Sequence, residues 1–341
     1  MAMDSGAICR TAIVHRQQAA GGPLALPKGL GPGSFTAPGK PWGGPGVALP
    51  TLARMRTLRT EDGIPLHWRQ WSKLGLEPAR GTVLLVHGLG EHVGRYETLA
   101  GKLNSWGWHV AGYDQRGHGA SGGARGDVPD AERLLQDLAL VIDELRADPQ
   151  LGRGPLLLLG HSMGGLVAAR FVAGGLAASC AGQLPAWFRP VDALVLSSPA
   201  LDPGLSAWQR LQLSLGVAVA PHLAVGNGLK TAWISRQRSV VQAYIDDPMV
   251  HDRLTPTLAR MIVDAGEMVR QHAADWVVPT LLMWAGSDRC VAPAGSAEFA
   301  AEAPPAVLRA QCFGPLFHEI FNEPEREQVF AALQSWLAAR F

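Results

Sequence analysis

The pentapeptide Gly160-His161-Ser162-Met163-Gly164 has the residue types and spacing for nucleophilic attack on a carbonyl. Four leucines, 156–159, stop at its first glycine and an Ala-rich apolar run follows its last, so the stretch reads as strand, sharp turn and helix. Such a turn strains the serine backbone, and the residues two places away on either side must carry no bulk. Gly160 and Gly164 satisfy that need, and Gly165 lets the helix pack close to the strand. The turn lifts the Ser162 hydroxyl above the sheet edge. It also aims the Met163 amide, at the start of the helix, at the oxygen of an attacked carbonyl. In a chain with 40 glycines the pentapeptide alone is weak. Its flanking strand and helix separate it from a flexible Gly/Ser turn.

A serine hydroxyl needs a base, and the base needs an orienting acid. Behind a nucleophile turn of this kind the order along the chain is Ser, Asp or Glu, then His, the last two on loops after later strands. Asp288 follows the apolar run 280–284, and His318 follows the run 307–312. Each alone has a bland reading, as a capping aspartate or a solvated loop histidine. Three residues in the required order, each just past a strand, are much harder to produce by accident. Among the other ten histidines, His161 is expected to face away from the serine and His118 lies on a Gly-His-Gly loop. For His222 and His251 surface or packing roles are expected. The second oxyanion donor is expected from the loop His87-Gly88-Leu89-Gly90-Glu91-His92, where the glycines let the Leu89 amide face that of Met163. That loop does not fit a nucleotide, since neither G-x-G-x-x-G with an acidic ribose partner nor Gly-Lys-Ser/Thr is present.

The elements that must hold these groups can be read along the chain. Residues 1–54 are Gly/Pro-rich with no sustained hydrophobic period and are expected to be a disordered leader. The leader reads either as a linker or targeting piece or as an extension translated from a start codon set too early, and since Met55 directly precedes the first strand-like run the second is expected. Residues 55–341 then read as one domain. Stretches 57–60 and 64–71 predict an edge hairpin, and 81–87 a strand buried on both faces. A helix over 96–106, a strand over 109–113 and a helical stripe over 128–148 follow. The serine turn comes next, then strands at 193–196, 280–284 and 307–312, and a helix over 324–339. This alternation predicts an α/β fold with a doubly wound, mostly parallel sheet. It lapses over 199–276, which shows helical patterns and no clear strand. That interval is expected to be a helical cap over the carboxyl ends of the strands. Within it Trp208, Leu211, Leu215 and Val219 share a helix face, and the first three are expected to wall an acyl tunnel.

Composition narrows the partners. Lys plus Arg is 30 against Asp plus Glu at 29, so no long-range field draws nucleic acid or an anionic membrane. A neutral small molecule is expected instead, with at most transient contact at a membrane surface. The four cysteines, Cys9, Cys180, Cys290 and Cys312, show neither metal-ligand spacing nor a disulfide framework, and read as free thiols in a reducing compartment. No metal or organic cofactor is expected. No uncharged apolar run reaches the ~18 residues of a membrane span. The Met-Ala-Met-Asp start does not look like a secretory signal, so the expected location is cytoplasmic.

Five stretches in order carry a resemblance: HGLGEHVGRY at 87–96, GYDQRGHGASGG at 112–123, GHSMGG at 160–165, DDPMVH at 246–251 and HEIFNEPE at 318–325. Over residues 56–341 the chain resembles the α/β-hydrolases of the monoacylglycerol lipase and lysophospholipase group, which is serine aminopeptidase S33-like. The resemblance implies the α/β-hydrolase fold, a triad of Ser162, Asp288 and His318, and oxyanion amides from Leu89 and Met163. It also implies that Glu91 with Arg95 helps hold the polar head of a substrate. The implied activity is hydrolysis, through an acyl-enzyme, of carboxylic esters with an apolar acyl chain, monoacylglycerol or lysophospholipid. The same triad would also serve an acyltransferase, a thioesterase, an aminopeptidase-like amidase or a short-chain esterase. A non-catalytic receptor with this fold is the rival that the intact triad speaks against. The chain departs from the group in its leader, in an Ala/Gly-rich insert at about 174–190, and in the cap.

Overall fold

Runs too apolar to leave either face to water lie at the centre of the molecule. The computed structural model describes residues 53–71 and 77–341, so residues 1–52 of the expected leader lie outside the described residues. The first strands are β1 (Ala53–Arg59), β2 (Pro65–Trp71), β3 (Thr82–Val86), β4 (His109–Tyr113), β5 (Leu156–His161) and β6 (Ala193–Ser197). After them come β7 (Val225–Gly226), β8 (Arg253–Leu254), β9 (Thr280–Ala285) and β10 (Leu308–Phe313). Eight of these form one sheet in the order β1-β2-β4-β3-β5-β6-β9-β10. Pairing is antiparallel from β1 to β4 and parallel from there to β10.

The helices are α1 (Glu97–Ser105), α2 (Arg133–Ala147), α3 (Met163–Ala181), α4 (Ala207–Val219), α5 (Arg238–Asp246), α6 (Pro256–Gln271), α7 (Pro293–Glu302) and α8 (Arg326–Arg340). All but α4 and α5 contribute to the two cores that cover the sheet, and the leucines of β5 show how. Leu156 and Leu158 join the core beneath α2, α3 and α6, whereas Leu157 and Leu159 join the core beneath α1 and α8. Side chains alternate along a strand, so a run of leucines fills both layers.

Two boundaries differ from expectation. The first strand begins at Ala53 and pairs Ala53 with Trp71 and Arg54 with Gln70, so the edge expected at Met55 falls inside it. The interval 199–276 contains a two-residue ladder between β7 and β8, where no strand was expected. That interval also divides. Leu258, Met261, Ile262, Ala265 and Val269 of α6 belong to the main core, and Gly266 lets this helix approach the Leu201 carbonyl, where a Cβ would come within 2.4 Å.

Helix α4 has no buried residue. It meets the body through Gly216 against Pro256 and Ser214 against Arg260. The stripe expected to wall a tunnel points elsewhere, with Trp208 64%, Leu211 49% and Leu215 57% exposed. Those three residues therefore face solvent, because the opposite face of the helix, with half-buried Leu213, Gly216 and Val217, is the one turned toward the body.

Candidate active site

The turn between β5 and α3 holds Ser162 at φ 53°, and Ser162 and Ser198 are the two non-glycine residues at positive φ among the described residues. Such a backbone costs of order 1–3 kcal/mol and persists only where its surroundings fix it. Here the Ser162 amide donates to the Ser197 carbonyl at 3.0 Å, and its own carbonyl accepts from Leu166 and Ala200, each at 3.0 Å. The flanking glycines are needed for space as well as geometry. A Cβ on Gly160 would stand 2.4 Å from the Gly164 carbonyl oxygen, and one on Gly164 would stand 2.1 Å from that of Val86.

Loops after β9 and β10 bring the other two groups to this hydroxyl. Ser162 Oγ lies 2.8 Å from His318 Nε2, and His318 Nδ1 lies 2.7 Å from Asp288 Oδ2. Because the carboxylate can only accept, Nδ1 carries the proton and Nε2 is left to receive one from the serine. Asp288 is held by its other oxygen, which accepts from the amides of Cys290 at 2.8 Å and Val291 at 3.1 Å. Burial alone would lower the pKa of His318, but the Asp288 carboxylate, followed by Glu319 and Glu91, outweighs it and raises the imidazole above its ordinary value. Burial would raise Asp288, yet His318 and the two amides hold it below the usual carboxylate value.

Met163 is the first residue of α3, so its amide is one of the helix-end donors without an intrahelical partner. The loop after β3 lies against the nucleophile, since a Cβ on Gly88 would come 3.2 Å from that of Ser162. Leu89 is the next residue along it and packs at the edge of the main core. His161, expected to face away from the serine, turns to the base: its ring centroid is 4.7 Å from that of His318. Burial, then the neighbouring His318, lowers His161 to about 4. It therefore stays neutral beside the base.

Glu91 and Arg95 are not placed to hold a substrate head group. Each is 4% exposed. Glu91 accepts from the Gly88 amide at 2.6 Å, the Tyr96 hydroxyl at 2.7 Å and the Arg95 guanidinium. Arg95 also engages Glu319. The cavity these side chains share with His161 and Ser197 has about 20 Å³, room for about one water. Burial of the head group of a lipid there would need the ion pairs to come apart.

Other histidines tie the insertion to the body. His92 Nε2 meets Asp247 at 2.8 Å, and the His251 ring lies tilted against His118 at 4.8 Å while its Nε2 donates to the Gly117 carbonyl at 3.0 Å. His222 pairs with Asp127 at 3.0 Å. Two residues of the site were not anticipated. Cys290 has its thiol pKa raised by burial and then by Asp288. Glu319 follows the histidine directly, and its position in the sequence was the available signal. The Asp288, Cys290 and His318 donor atoms lie within 4.8 Å of one another, as a soft metal would require. Asp288 and His318 are already engaged with each other. No helix among the described residues is long and apolar enough to cross a membrane.

The serine aminopeptidase S33 family profile matches residues 77–325. A monoacylglycerol lipase of Mycolicibacterium smegmatis is 33% identical over 264 residues, covering 76% of this chain and 89% of that protein. A phospholipase of Bacillus subtilis is 30% identical over 257 residues, covering 74% and 93%. The crystal structure of the Paleococcus ferrophilus monoacylglycerol lipase superposes with a TM-score of 0.67 at 32% identity, over 80% of this chain and 98% of that one. With the profile spanning most of the chain and the relatives matched over most of their length, the chain belongs to the serine aminopeptidase S33 family and has the α/β-hydrolase fold.

Proposed function

We propose that this serine hydrolase cleaves carboxylic esters with an apolar acyl chain, monoacylglycerol or lysophospholipid, through an acyl-enzyme on Ser162. The observation that carries the reading is the hydrogen-bonded series from Ser162 Oγ through His318 to Asp288. In the proposed cycle His318 takes the serine proton as Oγ attacks the carbonyl, then gives it to the leaving alcohol. Asp288 keeps the imidazole in the required tautomer and stabilises the imidazolium. Water repeats the sequence to release the acid. The Leu89 and Met163 amides receive the charge that develops on the carbonyl oxygen, and one such donor is worth about 2.7–4 kcal/mol. The substrate class is supported by relatives named monoacylglycerol lipase and phospholipase.

The outward stripe of α4 supports a transient docking on the aggregated lipid that holds such a substrate. Trp208, Leu211, Leu215 and Val219 continue into exposed Leu223 and Val225, an apolar surface larger than scattered single residues make. A cytoplasmic setting is supported by the free thiols of Cys290 and Cys312. Ser162→Ala is expected to lower turnover of monooleoylglycerol by on the order of 10⁴-fold or more, because the three groups act as a unit. A purified, folded variant that kept a tenth of wild-type turnover would overturn the assignment. Parallel assays on a lysophospholipid and on acyl-thioesters decide the substrate class.

A further inference from the structure

We propose that Arg95 is a positioning residue for catalysis: its guanidinium locks the loop that carries the Leu89 amide to the loop that carries His318. The inference rests on the triad reading above and gives that site a further working part.

Three buried side chains from two distant stretches make the lock. Glu91 Oε1 accepts from the Gly88 amide, so its carboxylate sets the backbone one residue before Leu89. Its other oxygen accepts from Arg95. On the far side Arg95 grips Glu319 with both forks, Nη1 to Oε1 at 2.8 Å and Nη2 to Oε2 at 2.9 Å. Glu319 is the residue after His318. Its amide donates to the Ile234 carbonyl at 2.8 Å, and its carboxylate accepts from Asn322 at 2.8 Å, so the loop has little freedom of its own. The planar fork of an arginine suits two carboxylates at once, and a lysine ammonium would not reproduce that geometry.

Charge and cover complete the arrangement. One guanidinium between two carboxylates leaves a buried cluster with one excess negative charge, directly behind the base. Tyr244 from α5 closes it, with the Arg95 guanidinium 4.7 Å from the centre of its ring. Without Arg95 the two carboxylates would face each other with no cation between them in a buried site that has room for about one water, and one or both loops would have to move. Distance between the oxyanion donor and the base is what such a movement changes, and misplacement by about 1 Å can cost 10²-fold in rate.

The test uses the full chain, p-nitrophenyl acetate and a fluorophosphonate probe, neither of which needs the natural substrate. Arg95→Met is expected to lower kcat by about 10²-fold with KM nearly unchanged, and to slow labelling of Ser162 in proportion. Arg95→Lys should recover part of the loss. Glu319→Gln keeps the shape and removes a charge beside His318, whose charged neighbours are Asp288, Glu91, Glu319 and Arg95, with the neutral ring of His161 tilted against it. The base must be neutral to act, and losing a carboxylate lowers its pKa. The acid limb of kcat/KM is therefore expected to move to lower pH in Glu319→Gln, which a purely structural contact would not do. Wild-type kcat in Arg95→Met, or a raised KM at unchanged kcat, would overturn the proposal, the latter returning Arg95 to head-group binding. If Arg95→Met does not fold, Glu319→Gln decides, and an unmoved acid limb at wild-type kcat overturns it. Failure of the probe to label wild-type Ser162 would instead sink the triad reading.

Discussion

Helices α4 and α6 come from the same insertion, and each carries an apolar stripe and a well-made start. The Ser206 side chain and Gln209 form a capping box at the head of α4, while Thr255 caps α6 with Pro256 in its first turn. Their fates differ. The stripe of α6 is buried against α3, and Gly266 lets the same helix lie close to the Leu201 backbone. That of α4 is left to solvent, because the opposite face, with Leu213, Gly216 and Val217, is the one turned toward the body. A helical period states that a face seeks apolar cover and does not say from what. In α6 the cover is the protein; in α4 the stripe is exposed, and the proposed lipid would cover it.

The comparison can be broken at either helix, starting with the larger effect. Leu258→Ala in α6 is expected to lose about 2–5 kcal/mol in urea denaturation, the range for a large-to-small change in a packed core. Unchanged stability would remove α6 from the core. At α4, Trp208→Ser combined with Leu215→Ser is expected to reduce turnover of vesicle-borne monoacylglycerol by on the order of tenfold or more, since each apolar side chain inserted contributes about 1.5–3 kcal/mol. Turnover of soluble p-nitrophenyl acetate should stay as it was. Equal losses on both substrates would put the stripe in the acyl pocket after all. The smallest effect is expected for Leu211→Ala, within about 0.5 kcal/mol of wild-type stability. A loss as large as that of Leu258→Ala would reveal a cover on this face in solution.

Ser162, Asp288 and His318 were legible because each stands just past a strand, and each of those strands is a short run of mostly apolar residues. The loop after β3 was legible for the same reason. The network behind them was not, since Arg95 and Glu319 lie 224 residues apart and only the closed sheet brings them together. Part of it left a trace, since Glu91 and Arg95 are opposite charges close together on one short loop and can reach each other. Burial decided between that pairing and head-group binding. The orientation of α4 left no trace, because Gly216 and Leu215 are equally compatible with either face until Pro256 is in place. The two-residue strands β7 and β8 were too short to show a period.

Among the described residues, the main sheet ends in two strands that each have one neighbour, β1 and β10. An unpaired edge is a template on which another chain can add a strand. Arg54 and Arg59 project from β1 as exposed cations, and Arg309 does so from β10. A second copy approaching edge to edge would bring like charges together and strip them of water. The arginines thus act as gatekeepers at both ends of the sheet, opposing growth of the sheet from one molecule into the next.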